Sequence, residues 1–198
     1  MILYGVPGGC SQAAHIALKE ANFPHQYIRV SRDKKTENGH DFLKINPKGC
    51  TPAVELSNGI ILTESLAILV CIADQSGLLL AKDGLKRWQT LELAEFMTTE
   101  IHTNFRPFFI SDYPESVKVK SKNSLIENFI YLSKKIDENN YLTGKDFTIA
   151  DAYLFVMLNW ADLMNIPVPS LLDEYKHRIS LRPSVIRTLT EEGVFNKI

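Results

Sequence analysis

A single cysteine stands where a strand gives way to a helix. Met1-Ile2-Leu3-Tyr4 is a short apolar run, Gly5-Val6-Pro7-Gly8-Gly9 interrupts it, and Cys10 precedes a helical pattern that opens at Ser11. A thiol in that place points at the unpaired N–H groups of the first helical turn. Those donors and the positive end of the helix dipole favour the thiolate over the thiol. The glycines before it let a ligand approach the backbone closely. The partner position of a C-x-x-C pair is held by Ala13, so the chemistry is that of one thiol: a mixed disulfide with a small thiol is open to it, an internal disulfide is not. A cysteine here also serves as a small packed residue.

A second cluster lies at Asn46-Pro47-Lys48-Gly49-Cys50-Thr51-Pro52-Ala53 and at Thr63-Glu64-Ser65. Thr63 reads as a helix cap, and the Ser65 hydroxyl with the first N–H groups of the following helix forms an anion site. An ordinary cap with an acidic first turn fits the same letters. By sequence alone Pro52 is a trans turn proline. Cys50 brings a second thiol two residues before it, and Cys71, inside Ile68-Leu69-Val70-Cys71-Ile72, reads as core. Lys35 sits in a polar loop, His102 on a long helix, and Phe105, Phe108, Phe109 and Trp160 recur at helical spacing, which suits a core or the wall of an apolar pocket.

The elements that would hold these residues fall into two kinds. The first ~75 residues mix strand and helix periods. Ile2 to Tyr4 and Gln26 to Val30 read as strands, with a helix between them for which Ser11 is the candidate N-cap. Ala53 to Leu56 and Ile60 to Leu62 flank a Ser57-Asn58-Gly59 turn, a hairpin signal. Glu64 to Asp74 is helical, and a short helix is suggested near Asp41 to Ile45. From Lys86 onward only helical stretches appear: Trp88 to Phe109, Ser116 to Asp137, Thr148 to Met164, Pro169 to Leu181 and a shorter one from Pro183. Thr148 and Asp151 form a capping box.

Composition closes several other options. The 198 residues are 45% hydrophobic and 23% charged with a net charge of -1, which offers no broad basic field for nucleic acid. No apolar run approaches the ~20 residues of a membrane span, and no leader is read at Met1. Three cysteines without a C-x-x-C pair suggest neither a disulfide scaffold nor a metal site. A reducing cytoplasm is expected.

Six segments carry a resemblance: Pro7-Gly8-Gly9-Cys10-Ser11, Asn46-Pro47-Lys48-Gly49, Thr51-Pro52-Ala53, Leu62-Thr63-Glu64-Ser65, Thr99-Glu100-Ile101-His102, and Phe147 to Leu154. In this order they resemble the cytosolic glutathione transferases, most of all the bacterial beta class, which uses a cysteine where other classes use tyrosine or serine. The resemblance implies an α/β thioredoxin-like N-terminal domain over 1–76, a linker over 77–85 and an all-α C-terminal helical domain over 86–198. It implies a cis bond before Pro52, with Thr51 pairing to the cysteinyl part of glutathione. It assigns Gly9, Cys10, Lys35, Thr51, Pro52, Glu64, Ser65 and His102 to glutathione binding, with Ser65 at the γ-glutamyl carboxylate and Lys35 at the glycine carboxylate. Cys10 and His102 are the catalytic pair it implies, and Phe105, Phe109 and Trp160 would line the site of an apolar electrophile between the domains. It implies glutathione as co-substrate without a metal, and a homodimer with neither nucleic acid nor membrane as partner. The chain departs from the pattern at Gly5 and Val6, where an aromatic residue and a lysine are usual, and at Cys50, where glutamine is common. Two other functions fit the letters: a glutathione-dependent thiol–disulfide oxidoreductase acting through Cys10, and a non-catalytic binding module on the same fold.

Overall fold

A computed structural model describes residues 1–136 and 140–194. The chain packs as two compact units, Met1–Leu80 together with the stretch from Arg182 onward, and Ala81–Leu181.

The first unit is built on a four-stranded sheet in the order β2-β1-β3-β4, from β1 (Ile2–Gly5), β2 (Gln26–Arg29), β3 (Ala53–Glu55) and β4 (Ile61–Thr63). β1 and β2 run parallel with Leu3 opposite Tyr27, across the helix α1 (Ser11–Glu20). β3 runs antiparallel to β1 and turns back into β4. At that turn Gly59 N–H donates to the Leu56 carbonyl at 2.9 Å, as the Ser57-Asn58-Gly59 signal implies. Tyr4, Ile28, Val30, Phe42 and Ala53 form a core on one side of the sheet. Phe42 belongs to the expected short helix, a 3₁₀ turn over Phe42–Lys44 capped by Asp41 Oδ1, which accepts from Leu43 N–H at 3.0 Å. The helix α2 (Ser65–Ser76) ends on Gly77 in the left-handed conformation. This is the thioredoxin-like architecture that the sequence implies.

One element changes sides. The last helix, α8 (Pro183–Glu192), packs along α1, so the chain is not divided by a single cut at 77–85 with all of 86–198 in the helical half. Its buried residues Ser184, Val185, Thr188, Leu189 and Glu192 form one stripe. Arg182 pairs with Glu20, Lys19 Nζ lies 2.5 Å from Glu191, and Arg29 donates to the Glu191 carbonyl at 2.7 Å. The deepest contact is a carboxylate. Glu192 Oε2 accepts from Gly8 N–H at 2.9 Å and from Gln12 Nε2 at 2.9 Å, while Oε1 lies 2.9 Å from His15 Nδ1. His15 is buried and stacks on Tyr27 with ring centroids 4.5 Å apart.

Among its described residues, the regular elements of the second unit are all helices. A long helix starts as α3 (Gly84–Phe96), passes through a π-helical turn over Met97–His102, and continues as α4 (Thr103–Phe109). It is followed by α5 (Glu115–Ser133), α6 (Ile149–Leu163) and α7 (Ser170–Ser180). The end expected for α5, at Asp137, lies outside the described residues. α6 is buried over almost its whole length, which is why its sequence is apolar on every side. Its capping box is present. Thr148 N–H donates to Asp151 Oδ2 at 2.8 Å and the Thr148 hydroxyl donates to the same atom at 2.6 Å. Among the described residues, no helix is long and apolar enough to cross a membrane.

Candidate functional site

Three of the expected residues meet in the first unit. The loop before Cys10 is tied by Ser11, whose buried hydroxyl both donates to the Val6 carbonyl at 3.1 Å and accepts from Val6 N–H at 3.1 Å. Gly5 is required beneath it. A Cβ there would stand 2.7 Å from Ser11 Oγ and 2.8 Å from the Tyr27 ring, so only glycine lets α1 start this close to β1. Cys10 itself caps α1, one residue earlier than the expected Ser11. Its Sγ donates to the Thr51 carbonyl at 3.2 Å, and the Ser65 hydroxyl acts on the thiol in the direction of a lower pKa. The Thr51–Pro52 bond is cis. Asn46, only 2% exposed, braces this turn by donating from Nδ2 to the Cys50 carbonyl at 2.6 Å.

Ser65 opens α2, but the cap is Glu64, not Thr63, which ends β4. Glu64 takes φ 72° and ψ 125°, a region that costs a non-glycine residue roughly 1–3 kcal/mol and that collects at binding sites. This bend presents the first N–H groups of α2, where an anion is favoured. Lys48, which the sequence reading passed over inside Asn46-Pro47-Lys48-Gly49, pairs with Glu64 and donates to Thr63 Oγ1 at 2.6 Å. A lysine between a proline and a glycine gives little local sign of such a role. Lys35 stands in another turn, its backbone bonded to Ser31 and bridged to Asp41. Gly9 donates from its N–H to the Val6 carbonyl at 2.9 Å and holds the loop into Cys10.

The electrostatics of Cys10 reverse the expectation of a lowered pKa. Burial pushes the thiol up to about 11, and the Ser65 hydroxyl and the N–H groups of Cys10 and Ser11 offset this only in part. Desolvating a thiolate outweighs one helix terminus. Tyr4 is likewise pushed up to about 12 by burial and by its bond to Glu55. Cys50 is exposed, with Sγ 3.5 Å from the Lys48 carbonyl, and Cys71 is half-buried rather than in the core. Cys50 is therefore expected to react with iodoacetamide before Cys10 at pH 7.5, the opposite of the order the helix dipole alone would give. The Cys10 rate should climb about tenfold per pH unit toward the alkaline value, because only the thiolate attacks. Peptide mapping after brief alkylation at several pH values measures both. Labelling of Cys10 first at neutral pH would refute the burial argument.

The other expected residues belong to the helical unit. His102 ends the π turn, with Nδ1 2.6 Å from the Tyr153 hydroxyl and its ring 5.1 Å from that of Trp160. Burial holds its pKa below the usual imidazole value, so the ring is neutral at neutral pH. Tyr153 was not singled out from the sequence. Its spacing of seven from Trp160 on one helix places both on one face and is the sign that marks it. Thr98, His102, Thr103, Arg106 and Phe109 line a recess of about 240 Å³. Phe109 is half exposed and meets Trp160 edge to face at 4.9 Å. Phe105, expected to line the electrophile site, is fully buried and packs between Trp160 and Phe129. Helical spacing put both phenylalanines on the same side without saying which faces outward. Among the described residues, no cluster of three or more His, Cys, Asp or Glu side chains is arranged to hold a metal.

A thioredoxin-like sheet with a cis-proline turn beside a strand-end thiol, joined to a helical unit, defines a thiol-binding class of protein. Comparison with known proteins narrows the class. Residues 9–75 match the family described as glutathione S-transferase, N-terminal domain. The chain is 36% identical over 200 residues to glutathione S-transferase GstA of Escherichia coli O157:H7, covering 98% of this chain and 100% of the relative. Among solved structures, a sphingomonad glutathione S-transferase complexed with glutathione aligns at TM-score 0.92 and 37% identity, covering 98% of this chain and 100% of that one. A bacterial beta-class enzyme from Sphingomonas chungbukensis aligns at TM-score 0.90 and 35% identity, with the same coverage. The chain belongs to the glutathione S-transferase family and is most like its bacterial beta class.

Proposed function

We propose that this protein joins the glutathione thiol to small apolar electrophiles. The observation that carries the reading is the convergence of the Cys10 thiol, the Thr51 carbonyl beside the cis bond and the Ser65 hydroxyl at the start of α2, in a chain alike along its length to glutathione transferases. In this reading the Thr51 main chain pairs with the cysteinyl part of glutathione. Ser65 and the first turn of α2 hold the γ-glutamyl carboxylate, next to Glu64, and Lys35 takes the glycine carboxylate. Cys10, a thiol at neutral pH, donates a hydrogen bond to the glutathione sulfur as that sulfur becomes a thiolate. The resemblance assigns His102, which is neutral and hydrogen-bonded to Tyr153, to the same sulfur, and it assigns the electrophile to Phe109, which the buried Trp160 backs. The catalytic gain is a stabilised thiolate held ready for attack. The raised Cys10 pKa weighs against the oxidoreductase reading, in which Cys10 is itself the nucleophile.

Ser65→Ala tests the assignment. It should weaken glutathione binding by roughly 1–3 kcal/mol, since a charged carboxylate loses a hydrogen bond, with little loss of thermal stability. Calorimetric titration measures it, and an unchanged affinity would remove Ser65 from the site. Cys10→Ala should leave part of the conjugating activity and abolish any exchange through Cys10.

The reading includes a cytoplasmic homodimer, the first unit of one subunit against the long helices of the other. Trp88, 64% exposed on α3, and Leu85, 72% exposed, are large apolar side chains that a partner would cover. Sedimentation at micromolar concentration should give the mass of two chains, and a single-chain mass would exclude it.

A further inference from the structure

The recess on the helical unit carries a charge that purely apolar electrophiles do not call for. Of its five lining residues one is a fixed cation, Arg106, and none is a carboxylate. Arg106 is exposed and its side chain forms no hydrogen bond or ion pair among the described residues. His102 and Arg106 lie four residues apart, on one face, and His102 is neutral at neutral pH because burial lowers its pKa. Glu95 Oε2 accepts from the Thr98 hydroxyl at 3.2 Å, but Glu95 does not itself line the recess. Arg106 stands in the last turn of α4, where any cation is favoured. That accounts for a positive residue, but not for the aromatic wall next to it. Phe109 lines the same recess and rests on Trp160. The volume of about 240 Å³ exceeds the ~150 Å³ of a cavity that takes benzene, which leaves room for a substituted ring.

We propose that the recess receives an aromatic electrophile bearing a carboxylate, that Arg106 pairs with the carboxylate, and that Phe109 takes the ring. Arg106 is then a specificity residue. Guanidinium and carboxylate match in shape and form two parallel hydrogen bonds. The inference rests on the transferase reading. In the reaction it selects for, the glutathione sulfur bonds to the ring carbon, the carbon–chlorine bond breaks, chloride leaves with the electron pair, and the thiol proton passes to solvent.

The test compares 4-chloro-3-nitrobenzoate with its uncharged amide, 4-chloro-3-nitrobenzamide, on the full-length protein, Arg106→Gln and Arg106→Lys. The ratio of kcat/KM for the carboxylate to that for the amide should fall about 10- to 100-fold in Arg106→Gln, mainly through KM. It should fall by an intermediate amount in Arg106→Lys, which keeps the charge but loses one of the two parallel hydrogen bonds, and it should fall with added salt in the unaltered protein. An equal ratio in the unaltered protein and Arg106→Gln overturns the proposal. If neither compound is turned over, neither is a substrate, the transferase reading is left to its own tests, and the inference is decided by tryptophan quenching with 3-nitrobenzoate and 3-nitrobenzamide. Tighter binding of the carboxylate that is lost in Arg106→Gln upholds it. Equal binding of the two overturns it.

Discussion

Glu192→Ala is expected to lower stability by about 4 kcal/mol and the midpoint of thermal unfolding by roughly 10 °C. Glu192 is 2% exposed and serves three groups on the far side of α8, Gly8 N–H, Gln12 Nε2 and His15 Nδ1. Truncation leaves the buried Gln12 and His15 groups without their Glu192 acceptor, each at a cost of about 1–3 kcal/mol, and removes the tether on the part-buried Gly8 N–H. The loss of a well-packed side chain adds to this. Glu192→Gln should recover most of the stability. The amide oxygen can sit at the Oε2 position and keep the bonds from Gly8 and Gln12. The amide NH₂ then faces His15 Nδ1, which accepts in the other imidazole tautomer. Urea unfolding of the three proteins gives the order, and a glutamine variant as unstable as the alanine variant would show that the charge, not the hydrogen bonding, holds α8. A functional effect follows from the same geometry. Gly8 has φ 69° and lies two residues before Cys10, so losing its tether should also weaken glutathione binding at temperatures where the alanine variant is still folded.

That contact marks the boundary of what the sequence reveals. Element types were legible because each rests on short-range signals: the hairpin on its Asn58-Gly59 turn, α6 on its Thr148–Asp151 box. The partner of an element is another matter. The apolar stripe of α8 says that a face is buried, but not that it lies against α1, and Glu192 reaches residues 177–184 positions away. The site divides the same way. Cys10 and Ser65 could be placed at helix starts from local pattern, whereas the pKa of Cys10 depends on burial supplied by chain more than forty residues distant, including Thr51. A helix dipole is a local property and desolvation is not, so the sequence pointed to the right atom and the wrong direction. Glu64 is the clearest local failure. Thr63 has the better capping side chain, but Thr63 is still paired in β4, and the chain bends at the next residue instead.

Asp151→Ala should destabilise the helical unit by about 3–5 kcal/mol, a range reached only by strong, buried effects. The carboxylate is fully buried. Oδ2 accepts from Thr148 N–H and from the Thr148 hydroxyl, and Oδ1 accepts from Leu142 N–H at 2.9 Å and from the Tyr175 hydroxyl at 2.6 Å. One side chain thus caps α6, fixes the segment before it at Leu142 and docks α7 through Tyr175. The capping term alone is worth about 1 kcal/mol, so a loss near that value would mean that the Leu142 and Tyr175 bonds contribute little. Asparagine separates the cases, and its behaviour should differ from that of glutamine at position 192. Each oxygen of Asp151 faces at least one backbone N–H, which has no second tautomer. An amide NH₂ in either orientation must therefore point at a backbone donor. Asp151→Asn should accordingly recover less than half of the loss in Asp151→Ala, while Glu192→Gln recovers most of its own. Unfolding curves for the two pairs of variants measure this contrast, and equal recovery at both positions would refute the donor-only description of the Asp151 site.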